Sequence, residues 1–128
     1  MSALQFTYAI VYVDDVRASL AFYEQAFGFK THFLHESGDW GELDTGATRL
    51  CFSSRKLMAS MGKPTSRANP KQPSFELAFT TNDLTTALQK ALAAGATLIS
   101  DIEHTSWGQT LAYVADKDNI LIEICTPT

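Results

Sequence analysis

Few side chains in this 128-residue sequence could carry chemistry, and they are spread along the chain. The three histidines are His32, His35 and His104. His32 and His35 are an odd number apart, so on a regular strand they point to opposite faces and cannot share a metal ion. His104 falls in the stretch before Trp107, where an imidazole can reach the mouth of a site or simply meet solvent. The two cysteines, Cys51 and Cys125, lack CxxC spacing. With no base identifiable beside it, Cys51 reads as a structural thiol and not as a nucleophile. Among the carboxylates, Glu76 interrupts an apolar run. If Phe75, Leu77 and Phe79 turn toward helices, Glu76, Ala78 and Thr80 take the other face of the strand. The sequence contains no Gly-rich phosphate loop, GxSxG elbow or HExxH pair.

The composition sets the frame for these residues. At 45% apolar and 19% charged residues, the chain can build a core and is not of the disordered class. Its length suits one domain. A net charge of −4 argues against a general nucleic-acid binder, which needs a basic surface. No apolar run reaches the roughly 18 residues of a membrane span. Residues Met1 to Phe6 lack the basic and apolar regions of a secretory signal, and the cysteine usage suits a reduced, cytoplasmic protein. Charge is unevenly placed. Residues 55–73 hold Arg55, Lys56, Lys63, Arg67 and Lys71, no acid, and three of the four prolines. Removing that +5 segment leaves −9 on the remainder. The segment reads as a solvated linker, or as a flap over an anionic ligand or over the protein's own acidic face. It divides the chain into modules 1–54 and 74–128.

The two modules repeat one pattern. Module one opens with an apolar run, Phe6 to Val13, followed by Asp14-Asp15. A helical period then runs through Val16, Leu20, Tyr23 and Phe27 to a stop at Gly28. Module two opens with Phe75 to Thr81, then Asn82-Asp83, then Leu84, Leu88 and Leu92, with the stop at Gly95. Asp15 and Asp83 are expected N-caps, and Gly28 and Gly95 suit the left-handed position that closes a helix. Strand patterns follow at about 30–35, 40–44 and 48–53, and again at about 97–101, 109–114 and 120–125. Each module therefore reads βαβββ. An offset of 68 pairs Asp15 with Asp83, 67 pairs Trp40-Gly41 with Trp107-Gly108, and 72 pairs Cys51 with Glu123.

With these residues in place the chain resembles the vicinal oxygen chelate superfamily, which includes glyoxalase I, bleomycin-resistance proteins, fosfomycin-resistance transferases and extradiol dioxygenases. The resemblance rests on Tyr12-Val13-Asp14-Asp15, Ser19, Phe22-Tyr23 and Phe27-Gly28-Phe29 in module one. In module two it rests on Ala94-Gly95-Ala96, Trp107-Gly108 and Asp116-Lys117-Asp118-Asn119 with Ile122-Glu123. Lys117 and Asn119 stand where the family's turn has Pro and Gly. The resemblance implies an α+β protein of two tandem βαβββ modules forming an open barrel-like cup, the glyoxalase/bleomycin resistance fold. It further implies a small ligand in the cup and a homodimer. In metal-using relatives four ligands line the cup, and their positions fall here on Tyr8, Cys51, Glu76 and Glu123.

Histidine is missing from both first-strand positions of that set, Tyr8 and Glu76. Two carboxylates could hold a hard divalent ion with several waters, but a neutral phenol is a poor ligand. No cofactor is therefore expected, a divalent metal ion being the alternative. If a metal is bound, Glu76 and Glu123 would hold it with Tyr8 or Cys51. Placed together without a metal, Glu76 and Glu123 could act as an acid–base pair. Trp40 and Trp107 hold corresponding places in the repeat and could sandwich a flat ligand or pack in the core. Phe33, Phe52 and Tyr113 are further cup candidates by strand location. The expected function is metal-free binding of a small organic molecule by Tyr8, Trp40, Cys51, Phe52, Trp107 and Tyr113. The alternative is a metal-dependent lyase, isomerase or dioxygenase using Glu76 and Glu123. Neither nucleic acid nor membrane is an expected partner.

Overall fold

The computed structural model describes residues 3–127. Its first sheet is built from β1 (Tyr8–Val13), β2 (Lys30–Leu34), β3 (Trp40–Asp44) and β4 (Arg49–Ser54), in the order β1-β4-β3-β2. The first and last of these strands run parallel and the others antiparallel. The second sheet repeats the plan with β5 (Leu77–Thr80), β6 (Thr97–His104), β7 (Thr110–Ala115) and β8 (Leu121–Cys125), in the order β5-β8-β7-β6. Helix α1 (Val16–Phe27) links β1 to β2, and α3 (Leu84–Ala93) links β5 to β6. The βαβββ pattern is present twice.

Local chemistry sets the helix ends. Asp15 Oδ1 accepts the Ala18 N–H and Asp83 Oδ1 accepts the Thr86 N–H, both at 3.1 Å, so each cap satisfies a first-turn donor that has no intrahelical partner. Gly28, at φ +77°, closes α1 in the left-handed region. The turn between β7 and β8 is shaped by Asp116, whose buried Oδ1 accepts the backbone N–H of Asp118 at 2.8 Å and of Ile120 at 2.9 Å. Asn119 takes φ +65° there, doing the work of the glycine it replaces. Among the described residues it is the one non-glycine at positive φ.

By contact grouping the chain forms two compact units, Met1–Glu24 with Gly28–Thr65, and Gln25–Phe27 with Ser66–Thr128. In the first, Val11, Val13, Leu43, Leu50 and Phe52 form a buried sheet face. A Cβ on Gly41 would lie 2.8 Å from both Leu20 Cδ1 and Val16 Cγ1, so α1 sits directly on β3 and needs a residue without a side chain beneath it. In the second unit, Ala112, Val114, Ile122 and Ile124 are buried, and α3 buries Leu84, Leu88 and Ala91.

The structure alters the sequence reading in three places. Residues 55–73 are not all linker, because they begin with a helix, α2 (Arg55–Ser60), capped by Ser54 Oγ on the Leu57 N–H at 3.0 Å. Arg55 binds Asp14 at 3.3 Å, the Tyr12 carbonyl at 3.2 Å and Thr65 Oγ1 at 3.0 Å, so the stretch through Thr65 is fastened to the first unit and is not a flap. Second, β6 runs on to His104, which is a strand residue bonded to Thr110 Oγ1 at 3.0 Å. Third, Trp40 and Trp107 do not occupy corresponding places. The ladders pair Ile10 with Cys51 and Cys51 with Glu42 in one sheet, and Ala78 with Glu123 and Glu123 with Tyr113 in the other. Trp40 therefore corresponds to Leu111, while Trp107 lies in the turn before β7. Among the described residues no helix is long and apolar enough to cross a membrane.

Candidate functional site

Each sheet has one face buried with its helix and one face turned the other way. In the first unit, strand alternation and ladder register bring Tyr8, Ile10 and Tyr12 of β1 onto this second face, beside Arg49, Cys51 and Ser53 of β4. Trp40 and Glu42 of β3 and Phe33 of β2 complete it. A bulge at His32 changes the count along β2, so Phe33 rather than His32 lies opposite Glu42. The Tyr8 and Trp40 rings meet edge to face at 5.7 Å. Trp40 Nε1 donates to Glu42 Oε2 at 2.9 Å, and Glu42 Oε1 accepts from Arg49 at 3.1 Å. Tyr8, Tyr12 and Phe33 remain 42%, 37% and 45% exposed, so this is an aromatic face crossed by a single internal ion pair.

Cys51 lies at the centre of that face, fully buried. Burial first, and the Glu42 carboxylate second, push its thiol up to about 11, with Arg49 opposing. Burial and the neighbouring carboxylate thus disfavour the thiolate, the nucleophilic form. Phe52 does not join the face. The pleat turns it to the helix side, where it is fully buried with its ring 5.1 Å from Tyr23. Cys51 and Phe52 are consecutive, so no regular strand could present both.

In the second unit the corresponding face carries Ala78 and Thr80 of β5, Glu123 and Cys125 of β8, and Leu111 and Tyr113 of β7. Glu76 precedes β5 by one residue, on the side of Ala78. The Tyr113 hydroxyl donates to Glu123 Oε1 at 3.4 Å and interacts with Glu76 as well. Burial, followed by the negative charges of Glu123 and Glu76, pushes the Tyr113 phenol up to about 12. It therefore stays protonated and serves as the donor between two carboxylates. Cys125 is raised by burial and by Glu123, and its thiol points to the Phe79 carbonyl at 3.8 Å. Trp107 lies outside this group, 69% exposed, with its indole N–H on Gln109 Oε1 at 2.7 Å. His35 is held in the β2–β3 turn, its Nδ1 accepting the Ser37 N–H at 3.0 Å.

Glu76, Tyr113 and Glu123 are thus brought together in one unit, and Tyr8, Trp40 and Cys51 in the other. Glu42, Arg49 and Gln109 were not singled out in the sequence. The signal was present: Trp-Gly is followed by Glu42 in one module and Gln109 in the other, and strand residues two apart share a face. A resident divalent ion, as in metal-using relatives, does not fit these side chains. Cys51 is fully buried beside Glu42, Tyr8 is a phenol set edge-on to Trp40, and Glu123 already accepts from the Tyr113 hydroxyl. Among the described residues no three His, Cys, Asp or Glu side chains are grouped so as to hold a metal ion.

Two mixed four-stranded sheets with this order, each with its crossover helix, define the α+β glyoxalase/bleomycin resistance fold of the vicinal oxygen chelate superfamily. The chain belongs to the glyoxalase-like domain family, which it matches over residues 6–128. A glyoxalase-related enzyme from Fulvimarina pelagi is similar in structure, with a TM-score of 0.84 and 21% identity, over 98% of this chain and 89% of the other. A glyoxalase/bleomycin resistance protein/dioxygenase family enzyme from Burkholderia phytofirmans PsJN has a TM-score of 0.80 and 26% identity, over 96% and 98%. A protein of unknown function from Agrobacterium tumefaciens has a TM-score of 0.78 and 24% identity, over 100% and 98%. No curated protein matches the chain.

Proposed function

We propose that this protein binds a small, flat organic molecule, preferably one carrying a positive charge, without using a metal ion. The observation that carries the reading is the face built from Tyr8, Tyr12, Phe33 and Trp40. Tyr8, Tyr12 and Phe33 are left exposed beside a half-buried Trp40, whereas folding alone favours covering them. Aromatic faces attract planar and cationic groups, and the net acidity of the chain favours cations further. The second unit by itself offers two carboxylates, Glu76 and Glu123, next to the phenol of Tyr113. A homodimer belongs to the same proposal, since a second copy would cover apolar area. Two buried free thiols fit a reducing compartment such as the cytoplasm.

The test is a thermal-shift screen with planar cations beside metal analysis of protein purified without chelator. Binding to the native state raises the melting temperature by mass action, equivalent to about 2.7 kcal/mol at a ligand concentration one hundred times Kd. We expect such a rise for the native chain, its loss in Trp40→Ala, and no stoichiometric metal. Tightly bound Ni, Zn, Fe or Mn that disappears in Glu123→Gln would overturn the metal-free reading. A monomer at every concentration in light scattering would overturn the dimer.

A second reading is favoured by Glu76, Tyr113 and Glu123. Two carboxylates around one phenol could move a proton to and from a bound substrate, making the protein an isomerase or lyase. Turnover that falls in Glu123→Gln while ligand affinity is kept would select it.

A further inference from the structure

Both tryptophans of the chain are tied through the indole N–H to the side chain two residues later. Trp40 Nε1 donates to Glu42 Oε2 at 2.9 Å, and Trp107 Nε1 donates to Gln109 Oε1 at 2.7 Å. In each case the acceptor is itself held from its other end. Glu42 Oε1 accepts from Arg49 at 3.1 Å, and Gln109 Nε2 donates to the Thr126 carbonyl at 2.9 Å. The backbone settings differ. Trp40 and Glu42 share a face of β3, whereas Trp107 and Gln109 flank a turn in which Gly108 sits at φ +90°. A common backbone therefore does not explain the common tie. Burial does not explain the tie at Trp107, which is 69% exposed and whose N–H water could satisfy, whereas Trp40 is half-buried. An exposed indole has no packing reason to be held in one rotamer, and holding it costs side-chain entropy.

We propose that Glu42 and Gln109 are positioning residues, each fixing the indole two residues before it so that each ring is prearranged to stack on a planar group. The use of this arrangement rests on the small-molecule-binding reading above, while the arrangement itself is a property of the unliganded chain. A ring already held in its binding rotamer loses less freedom when a ligand stacks on it.

The experiment uses the ¹⁵N-labelled full chain, whose two tryptophans give two indole N–H signals. It measures indole hydrogen exchange and heteronuclear NOE, together with the Kd of proflavine, a planar cation. Glu42→Ala and Gln109→Ala should each speed exchange of their own indole about tenfold, as expected for one lost hydrogen bond, and leave the other unchanged. Glu42→Gln and Gln109→Glu, which keep an acceptor oxygen, should fall between the native and alanine rates. Proflavine should bind each alanine variant several-fold more weakly, in line with ordering one side chain. A general loss of stability would not loosen one indole selectively. Unchanged exchange and NOE in either alanine variant overturn the inference for that indole. Loosened indoles with unchanged proflavine affinity overturn the positioning role. If native protein does not bind proflavine, that counts against the binding reading, and indole exchange then decides the ties alone. Should Glu42→Ala fail to fold, Gln109→Ala on the exposed turn gives an independent answer.

Discussion

The two βαβββ units share a ladder and differ in what they place on it. Each joins its first and last strands in parallel, caps its helix with an aspartate and buries an aliphatic or aromatic face. On the opposite face, at corresponding rungs, the first unit has Ile10, Cys51 and Glu42, and the second has Ala78, Glu123 and Tyr113. The first is an aromatic surface whose one carboxylate is neutralised by Arg49, and the second is a pair of carboxylates around a phenol. Backbone hydrogen bonding does not depend on which side chain points outward, so the scaffold can be kept while its chemistry changes. The buried faces lack that freedom, because close packing penalises any change of volume.

Gly41 and Gly108 give the sharpest contrast, and the largest expected effect. Gly41→Ala puts a methyl group 2.8 Å from two side chains of α1 and should cost about 2–3 kcal/mol by overpacking. Gly108→Ala meets open space and pays only for positive φ, about 1 kcal/mol. Urea denaturation of both variants measures the gap, and equal losses would show that α1 can move off β3. Next comes the turn of the β7–β8 hairpin, which Asp116 shapes. Asp116→Ala removes the buried carboxylate that accepts from two backbone N–H groups and should cost about 2 kcal/mol. Asn119→Gly should be neutral or slightly stabilising at its positive φ, with Asn119→Val clearly worse.

Alkali should separate the two faces by their titrating groups. Cys51, raised to about 11, and Tyr113, raised to about 12, hold their protons more tightly when folded. Each adds stability fully present below its unfolded pKa and lost as pH rises through the folded value. Stability should therefore fall from about pH 9 to 11 through Cys51 and about pH 10 to 12 through Tyr113. Glu123→Gln should lower the Tyr113 midpoint in an ultraviolet titration and leave the Cys51 midpoint in place. Equal movement of both would break the contrast.

The smallest effects should be matched. Asp15→Ala and Asp83→Ala each remove one helix cap and should each lower stability modestly. Hydrogen bonds from the Thr86 side chain and then its backbone N–H hold the Asp83 carboxyl below its ordinary value, so that part of the stability is present near neutrality and fades as acid protonates the carboxylate. Chemical denaturation should give similar losses for the two variants at pH 7, with the Asp83→Ala loss shrinking in acid.

The caps, the glycine stops and the strand order of events were legible because they depend on residues a few positions apart. So was the face of Glu76, since alternation with Leu77 and Phe79 needs no tertiary knowledge. Helix α2 was missed because Pro64, Pro70 and Pro73, all beyond it, dominated the composition of residues 55–73 and hid the Ser54 cap. The matching of Trp40 with Trp107 failed for a related reason. A Trp-Gly pair can sit in a strand or a turn, and identity alone does not report φ. Phe52 was assigned by strand membership without its parity, which places it opposite Cys51.

By itself, the sequence determined two helices, eight strands and their repeated order, because hydrophobic period, capping side chains and turn residues act over short range. Tertiary structure decided that Tyr113 stands between Glu76 and Glu123, that Glu42 joins Trp40 to Arg49, and that Arg55 fastens α2 to β1. Those contacts join residues distant along the chain or depend on rotamers, and both are settled only when strand register and packing choose one arrangement among many.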